Sequence, residues 1–125
     1  MPSPEHVKAL VDHVTSGDHV GAILDWYTEG AWMQENPGGP RREGIQTLMA
    51  HEAKVLARYD SVKTELIDPP LVDGDRVAIR WRFTFHRSGS ADAVIEEIAW
   101  RTWRGGRICG EIFFYDPAQL SRKPT

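Results

Sequence analysis

Five polar side chains have types and positions that could support proton transfer: Gln34, Asn36, Glu52, Glu96 and Glu111. In an apolar cavity the charged form of a carboxylate is poorly solvated, which raises its pKa toward a range that suits acid–base chemistry. An amide such as Asn36 or Gln34 can donate a hydrogen bond to a carbonyl or orient a water. We predict Glu111, Glu96 and Asn36 as the catalytic residues, with Gln34 and Glu52 contacting the substrate.

Other kinds of catalytic site find no support in the sequence. Cys109 is the single cysteine, which excludes an internal disulfide and a cysteine-based zinc cluster. The chain contains no P-loop, no dinucleotide-binding fingerprint, no Ser-His-Asp order and no histidines at zinc-ligand spacing. We therefore expect neither a metal nor any other cofactor.

The stretch Val94–Asp116 is predicted to form the hairpin that positions the acidic candidates. Gly105-Gly106 lies between two apolar runs and signals a two-residue turn, because such turns need φ > 0 at their centre. Counted outward from this turn, alternation places on one face Glu96, Ile98, Trp100, Cys109, Glu111, Phe113 and Tyr115. We predict that this face lines the cavity and that its aromatic members contact the substrate. A one-residue change in turn length would move Glu97 beside Glu111 instead.

The preceding strand is predicted over Val77–Arg87, where apolar residues facing the core alternate with polar ones. Ser88-Gly89-Ser90 begins the loop into the next strand. A hairpin centred there would place Arg82 opposite Glu97, and opposite charges across a ladder are favourable. This pairing independently predicts Glu97 outside the cavity and Glu96 inside it.

A short strand is predicted over Ala31–Asn36. It ends at Pro37, because proline cannot continue a ladder. Alternation puts Trp32 and Gln34 on the same face as Asn36. We predict that this face points into the cavity, with Trp32 as part of the wall that contacts the substrate.

The longest helix is predicted over Arg42–Tyr59, from apolar residues at helical spacing. Glu52 falls near the centre of its apolar stripe, where an apolar residue is expected. Two interpretations remain open. Glu52 either reaches the mouth of a cavity, or it is paired or partly exposed at the edge of the sheet.

The predicted order of elements is helix, helix, strand, helix and then four strands joined by hairpins. This order is typical of an α+β fold, in which three N-terminal helices pack on the concave face of a curved antiparallel sheet. The sheet would then form a cone-shaped cup. With 125 residues, we expect a single domain over residues 1–125.

The composition narrows the range of partners. The net charge is −3 and no basic block is present, so neither nucleic acid nor a membrane surface is predicted as a partner. No apolar run is long enough to span a bilayer and the N-terminus lacks a signal-peptide pattern, so we expect a cytoplasmic protein. The five tryptophans suit a cavity that binds a small hydrophobic molecule.

The opposite face of the last hairpin is predicted to mediate a homodimer. On a lone monomer it would expose Ala99, Trp103, Ile108, Ile112 and Phe114. Large exposed apolar patches usually mark interfaces. We therefore expect two copies to associate through the outer face of the sheet.

Two segments carry a resemblance to a known family. Trp103-Arg-Gly-Gly-Arg-Ile108, followed by Glu111-Ile-Phe-Phe-Tyr-Asp-Pro117, resembles the closing hairpin of the SnoaL-like branch of the nuclear-transport-factor-2-like superfamily. Tyr27–Pro37, followed by Arg42-Glu-Gly-Ile45, resembles its first strand and long helix. The resemblance covers nearly the whole chain and implies a cystatin-like α+β barrel that tends to form dimers. It does not imply one activity, because this fold hosts isomerases, cyclases, dehydratases, epoxide hydrolases and non-catalytic binders.

Ketosteroid isomerase is an instructive relative in that superfamily. There the residue before the proline that ends the first strand is the aspartate base, and here that position is Asn36, which cannot take a proton at neutral pH. The tyrosine of its oxyanion hole has no match in the first helix. The epoxide hydrolases of the superfamily need an aspartate in the final strand where this chain has Phe113. Neither mechanism is therefore carried over.

Two hypotheses of different classes follow. The first is a cofactor-free enzyme that isomerises, cyclises or dehydrates a hydrophobic, oxygenated small molecule by acid–base chemistry. The second is a non-catalytic domain that binds a small molecule or forms a dimeric interaction module. A buried carboxylate within hydrogen-bond reach of Asn36 or Gln34 would favour the enzyme, and a cup filled by its own side chains would favour the alternative.

Overall fold

The structure is a computed structural model that describes residues 2–120. Its elements in chain order are α1 (Pro4–Thr15), α2 (His19–Trp26), β1 (Tyr27–Glu35), β2 (Arg41–Glu43), α3 (Ile45–Leu56), β3 (Ser61–Leu66), β4 (Leu71–Asp73), β5 (Arg76–His86), β6 (Ala93–Arg104), β7 (Arg107–Phe114) and a 3-10 turn (Pro117–Leu120). Within these residues no helix combines the length and the apolar character needed to cross a membrane.

The helices begin at residues whose chemistry explains their position. Ser3 caps α1 and Asp18 caps α2, and each side chain accepts a hydrogen bond from the backbone N–H three residues further on. The long helix α3 begins later than the predicted Arg42. Arg41–Glu43 instead pairs with β1 as a short strand, and Gly44 follows with a φ of 92°, which favours glycine.

The seven strands form one curled sheet in the order β2-β1-β7-β6-β5-β3, with β4 paired to β5. The α+β class with three helices is confirmed, but the prediction of an entirely antiparallel sheet is wrong. β1 and β7 run parallel, and every other pairing is antiparallel. Because β1 and β7 lie far apart in the chain, no hairpin dictates their relative direction.

The three helices and the inner face of the sheet share one apolar core. It includes Leu10 from α1, Ile23 from α2, Leu48 from α3, and Ile79 and Trp81 from β5. Full burial of an aliphatic side chain of this size stabilises the fold by about 1.5–3 kcal/mol. The predicted orientation of β5, with its apolar set toward the core, agrees with this packing.

A β-bulge in the last hairpin changes which residues face the core. Trp103 pairs with Ile108 beside the predicted Gly-Gly turn, but Thr102 pairs with Gly110. Cys109 is therefore an extra residue on one strand, and an extra residue reverses the alternation of everything beyond it. The predicted turn is present, whereas the predicted register holds for only the first pairs next to it.

Beyond the bulge, Arg101 opposes Glu111 and Trp100 opposes Ile112. The predicted pairing of Trp100 with Glu111 is therefore wrong. Glu111 shares the inner face with Trp103, while Trp100 lies on the outer face and is 43% exposed.

The hairpin between β5 and β6 also differs from prediction by one residue. Arg82 opposes Glu96, and Trp81 opposes Glu97. Glu97 is therefore on the inner face and Glu96 on the outer face, contrary to the prediction. Either arrangement places a glutamate opposite Arg82, so the preference for opposite charges could not decide between the two registers.

The predicted composition of the outer apolar patch is wrong in part. Ala99, Trp103 and Ile108 are fully buried members of the core. Their places on the outer face of the two long strands are taken by their sequence neighbours. The exposed apolar side chains there are Val94, Ile98, Trp100 and Phe114.

Candidate functional site

A cavity of about 470 Å³ lies between the helices and the inner face of the sheet. Much of its wall is aromatic, from Tyr59, Trp81, Phe83, Phe85, Phe113 and Tyr115. Its charged side chains include four carboxylates, Glu35, Glu52, Glu97 and Glu111. Mostly apolar cavities of this size, with a few polar groups inside, typically bind small molecules.

One side of the cavity is built around a buried ion pair. The Tyr27 hydroxyl donates to Glu111 Oε1 at 2.5 Å, and Arg101 Nε donates to Glu111 Oε2. The three side chains are 3%, 4% and 0% exposed for Tyr27, Arg101 and Glu111 respectively. Charge-assisted hydrogen bonds of this kind offset the cost of removing both charges from water. We call these three residues the Glu111 cluster.

Strand pairing and local charge explain the state of the Glu111 cluster. Arg101 lies directly across the ladder from Glu111, and Tyr27 begins the neighbouring strand. Burial raises the pKa of the Tyr27 hydroxyl well above its ordinary value, and the charge of Glu111 adds to this. Burial is the largest single influence on the pKa of Arg101 and lowers it, but the charge of Glu111, the interaction with Tyr27 and the hydrogen bonds to both together raise that pKa. The tyrosine therefore stays protonated and the arginine stays charged at neutral pH.

Two other carboxyls in the cavity have no such partner. Among the described residues, neither Glu97 on β6 nor Glu52 on α3 makes a hydrogen bond or an ion pair. Burial raises the pKa of Glu97 to about 8, with a further contribution from the charge of Glu111. Burial, followed by the charges of Glu111 and Glu35, raises the pKa of Glu52 to about 7. Near pH 7, Glu97 is therefore mostly protonated and Glu52 is partly protonated.

The fourth carboxylate, Glu35, has a weak cationic partner. Arg42 Nη2 lies 3.7 Å from a carboxylate oxygen of Glu35. Tyr115 is close enough to be affected: burial and then the charge of Glu35 raise the pKa of its hydroxyl. The described part of the cavity thus contains two carboxylates with cationic partners and two without.

Four of the residues predicted for the site line the cavity: Glu52, Glu111, Phe113 and Tyr115. The question left open for Glu52 is thereby answered, because its position on α3 reaches the cavity. The structure brings together these four residues, and the other five predicted residues are not among those lining the cavity.

Glu96 and Trp100 were predicted in the cavity and are on the opposite face of β6. Glu96 accepts hydrogen bonds from Arg82 Nη2 at 2.8 Å and from Arg80 Nη2 at 3.4 Å. Trp100 packs beside Ile112 across the ladder and is partly exposed. Both errors come from the one-residue shifts in the two hairpins.

The predicted face of β1 is also the wrong one. The alternation is correct, but Met33 and Glu35 line the cavity, whereas Trp32 and Gln34 point to the other side. The guanidinium of Arg41 lies 3.9 Å from the centre of the Trp32 ring and donates to Gln34 Oε1 at 3.0 Å. These side chains therefore join β1 to β2 on the outer face.

Asn36 has a structural position at the end of β1. Its φ is 59°, a left-handed conformation that asparagine tolerates better than most residues. Its N–H donates to the Phe113 carbonyl at 2.8 Å, and its Oδ1 accepts from the Tyr115 N–H at 3.0 Å. Asn36 thus links the ends of the two parallel strands, and it is not among the residues that line the cavity.

The site contains residues that the sequence did not single out: Tyr27, Glu35, Glu97 and Arg101. Glu97 was named only as the alternative to Glu96. Tyr27 directly follows the apolar stripe of α2, so no local signal marks it as the start of a strand. Without the bulge, Arg101 and Glu111 fall on opposite faces of the hairpin, so the prediction that Glu111 is in the cavity puts Arg101 outside. The one signal that could have corrected this is that an arginine buried in the core needs an acidic partner.

Comparison with known proteins identifies the family. A profile of the SnoaL-like domain matches residues 7–111, and no curated protein matches the sequence. The fold is similar to that of a protein with a ketosteroid-isomerase-like fold from Catenulispora acidiphila DSM 44928, solved in complex with trimethylamine (TM-score 0.78, 18% identity, 94% of this chain and 90% of that chain). It is also similar to a proposed SnoaL-like polyketide cyclase from Jannaschia sp. CCS1 (TM-score 0.78, 16% identity, 97% and 94% covered).

A further similar structure is TerC, co-crystallised with polyporic acid (TM-score 0.77, 15% identity, 94% of this chain and 93% of that chain). At these identities the structural likeness concerns the fold alone. The profile match is of a different kind, because it rests on sequence and spans most of the chain. On that ground the chain belongs to the SnoaL-like domain family.

Proposed function

We propose that this protein is a cofactor-free enzyme that performs acid–base chemistry on a hydrophobic, oxygenated small molecule. Isomerisation, cyclisation or dehydration would each fit this description. The observation that carries the proposal is the pair of unpartnered carboxyls, Glu52 and Glu97, inside an aromatic cavity. Carboxyl pairs whose surroundings separate their pKa values are typical of acid–base sites.

The two carboxyls suit complementary roles. With a pKa of about 7, Glu52 is available as a base near neutral pH. With a pKa of about 8, Glu97 is available as an acid under the same conditions. Glu52 would take a proton from a carbon next to a carbonyl, and Glu97 would deliver one to the oxygen or to another carbon. The substrate is then rearranged without any change of oxidation state.

We assign Glu111 a different role from the one predicted for it. Both of its oxygens are engaged by the Glu111 cluster, which suits a fixed anion better than a group that must exchange protons. Its charge contributes to the raised pKa of both Glu52 and Glu97. Glu111 would therefore prepare the acid–base pair and orient Arg101, while Glu96 and Asn36 would take no part in the chemistry.

Deuterium exchange tests the proposal with simple ketones and does not require the natural substrate. The protein is incubated in D2O with a panel of enolisable aromatic ketones, and mass spectrometry follows deuterium uptake at the α-carbon. Glu97→Gln should slow the exchange by about 10²–10⁴-fold, since general acid–base groups typically contribute that much. Glu96→Gln is the matched control, one residue away on the outer face, and should leave the rate within about twofold of the wild type.

Non-catalytic binding of a small molecule is the second candidate. The similar structure solved with trimethylamine favours it, because an unreactive amine could sit between uncompensated carboxyls such as Glu52 and Glu97. If no ketone exchanges faster with the wild type than with a Glu52→Gln/Glu97→Gln double variant, this candidate replaces the enzyme.

The outer face of the sheet supports a homodimer. Ile98, Trp100 and Phe114 are 44%, 43% and 38% exposed, and Ile98 lies across the ladder from Phe114. Contiguous apolar patches on the surface usually mark interfaces. We propose that two copies of this single domain associate through this face, which lies on the opposite side of the sheet from the cavity.

A further inference from the structure

The strand β6 extends further than the strand β7 beside it. The last pair between them is Ile98 with Phe114, whereas β6 continues to pair with β5 as far as Ala93. Residues 93–97 therefore have a neighbouring strand on one side only. A free strand edge leaves N–H and C=O groups without partners, and folded proteins usually cover such an edge.

The side chain of Gln119 covers this edge at Glu96. The Glu96 N–H donates to Gln119 Oε1 at 3.0 Å, and Gln119 Nε2 donates to the Glu96 carbonyl at 3.1 Å. A glutamine amide offers an acceptor oxygen and N–H donors, as a peptide group does, so it can replace the pairing of a strand. Both main-chain groups of Glu96 are thereby satisfied by one side chain.

Residues 115–119, which we call the strap, are held at both ends. The Tyr115 N–H donates to Asn36 Oδ1 at 3.0 Å at the end of β1, and Gln119 is bonded to β6. Between these ends the Gln119 N–H donates to the Asp116 carbonyl at 3.1 Å and closes a tight turn. The turn presents the side chain of Gln119 to the edge of β6 in a fixed geometry.

The residue that Gln119 holds lies between two residues of the cavity wall. Ile95 and Glu97, on either side of Glu96, both line the cavity. We propose that Gln119 is a positioning residue for Glu97: by covering the edge of β6, its amide fixes the backbone that carries Glu97 and keeps that carboxyl against the apolar wall. The direction of a strand side chain follows its backbone, so fraying of residues 93–97 would release Glu97 towards water.

Tyr115, at the other end of the strap, also lies near Glu97. Both residues line the cavity. Burial and then the charge of Glu35 raise the pKa of the Tyr115 hydroxyl, and the charge of Glu97 adds a smaller contribution. Such an influence falls off with distance, so the two groups are close to each other. The strap therefore borders the part of the cavity that contains Glu97, and release of Gln119 would admit water there.

This inference rests on the proposed function in one respect, because Glu97 is taken as the acid. Its measurement needs no substrate: NMR can follow the exchange of the Glu96 N–H and the titration of the Glu97 carboxyl. If the wild type failed to exchange any ketone, the proposed function would fall, while NMR would still decide whether Gln119 positions Glu97.

Gln119→Met tests the proposal, because it removes both hydrogen bonds and keeps the length of the side chain. The Glu96 N–H should exchange with solvent about tenfold to hundredfold faster than in the wild type, in line with the loss of two hydrogen bonds. The Glu97 carboxyl should lose its proton at a lower pH than in the wild type, because water then reaches it. No residue of the strap belongs to the apolar core, so we expect the variant to fold.

The catalytic assay adds a readout that a purely structural role would not move. Gln119→Met should slow deuterium uptake by the ketone about tenfold to hundredfold, since misplacement of a catalytic group by about 1 Å can cost that much. The alkaline limb of its pH–rate profile should also move to lower pH, because Glu97 must carry a proton to act as an acid. A general loss of stability would lower the rate without moving that limb.

Gln46→Met is the matched control. Gln46 is exposed on α3, and its side chain makes no hydrogen bond to another described residue. This substitution should leave both NMR measurements and the pH–rate profile unchanged.

Three results would overturn the proposal. One is an unchanged exchange rate of the Glu96 N–H in Gln119→Met, which would show that the edge of β6 does not depend on Gln119. Another is a Glu97 titration that stays at the wild-type pH after the edge has opened. The third is an equal change of both measurements in Gln46→Met.

Discussion

Glu96 and Glu97 are joined by one peptide bond, yet the fold gives them opposite chemistry. Glu96 lies on the outer face between Arg82 and Arg80, and the hydrogen bond from Arg82 is the main reason why its pKa is lowered. Glu97 lies on the inner face without a partner, and burial raises its pKa to about 8. The proton affinity of a strand carboxyl is therefore set by the face on which it lies.

The cavity contains a second contrast, between a carboxylate with partners and carboxyls without them. Glu111 accepts hydrogen bonds from Arg101 and Tyr27. Glu97 and Glu52 make no hydrogen bond or ion pair among the described residues, and the charge of Glu111 raises the pKa of both. Groups left in a perturbed state inside a cleft are candidates for function, which is why the chemistry is assigned to Glu97 and Glu52.

The largest expected effect on stability comes from Glu111→Gln. This substitution keeps the size of the side chain but leaves Arg101 buried without a counter-charge. Removing one partner of a buried pair typically lowers the free energy of unfolding by about 3–5 kcal/mol, and urea unfolding would measure it. Glu96→Gln, which breaks an exposed pair, should leave the unfolding curve unchanged within error.

A double variant separates the charge from the packing. Replacing Arg101 by Met together with Glu111→Leu removes both charges at once, so no uncompensated ion remains. It should be more stable than Glu111→Gln alone. Equal stability of Glu111→Gln and the wild type would show that the Glu111 cluster is not an essential ion pair.

The next effect is on the pH dependence of stability. Because the pKa of Glu97 rises from its ordinary 4.5 to about 8, the folded state holds this proton more tightly than the unfolded chain between those values. The free energy of unfolding should therefore fall as the pH rises through that window, by at most about 1.4 kcal/mol per pH unit. Urea unfolding of Glu97→Gln between about pH 5 and about pH 8 should show a smaller fall.

Glu96 changes the free energy of unfolding with pH in the opposite direction. Its pKa is lowered, so the stability it contributes is present above its ordinary pKa and is lost as the pH falls through the lowered one. Glu96→Gln should therefore behave like the wild type between about pH 5 and about pH 8. In Glu97→Gln the free energy of unfolding should still fall somewhat as the pH rises, because of Glu52. This remaining fall should end near the Glu52 pKa of about 7. Identical slopes in Glu97→Gln and the wild type would contradict the assigned protonation state.

The smallest expected effect on activity comes from the outer face. Trp100→Glu places a charge in the proposed dimer interface, so sedimentation velocity at micromolar concentration should show a shift from dimer to monomer. Leu71→Glu is the control, since Leu71 is 74% exposed on the short strand β4. Turnover should change by about twofold or less, because Trp100 lies outside the cavity. A wild type that sediments as a monomer would argue against the interface.

The sequence was sufficient for the α+β class and for most of the helices and strands, because its local signals agree with each other. Helix caps at Ser3 and Asp18, the clean alternation of β5 and the Gly105-Gly106 turn each predict the element that forms. Such agreement between local preference and global structure is what makes a fold readable from one sequence. The parallel pairing of β1 with β7 has no local signal, so that pairing could not be predicted.

The site was predicted less well because it depends on which face of its strand each residue occupies. A shift of one residue moves every side chain of a strand to the other face. The bulge at Cys109 has no clear sequence signal. Arg82 would form a favourable charge pair with either Glu96 or Glu97 opposite it, so charge does not fix the register of the other hairpin. Glu111 was placed in the cavity correctly, although through a register that is wrong. Only the three-dimensional structure shows which of the two adjacent glutamates, Glu96 or Glu97, faces the cavity.

The bulge at Cys109 also makes the register of this strand a chemical variable. A ladder that paired regularly past Ile108, with Cys109 opposite Thr102, would turn Glu111 and Phe113 outward and bring Gly110 and Ile112 inward, leaving Arg101 without its carboxylate. A substitution edits one position of the cavity, whereas a one-residue change of register here exchanges a whole row of its wall. In this architecture, gain or loss of a bulge offers a short route from one cavity chemistry to another.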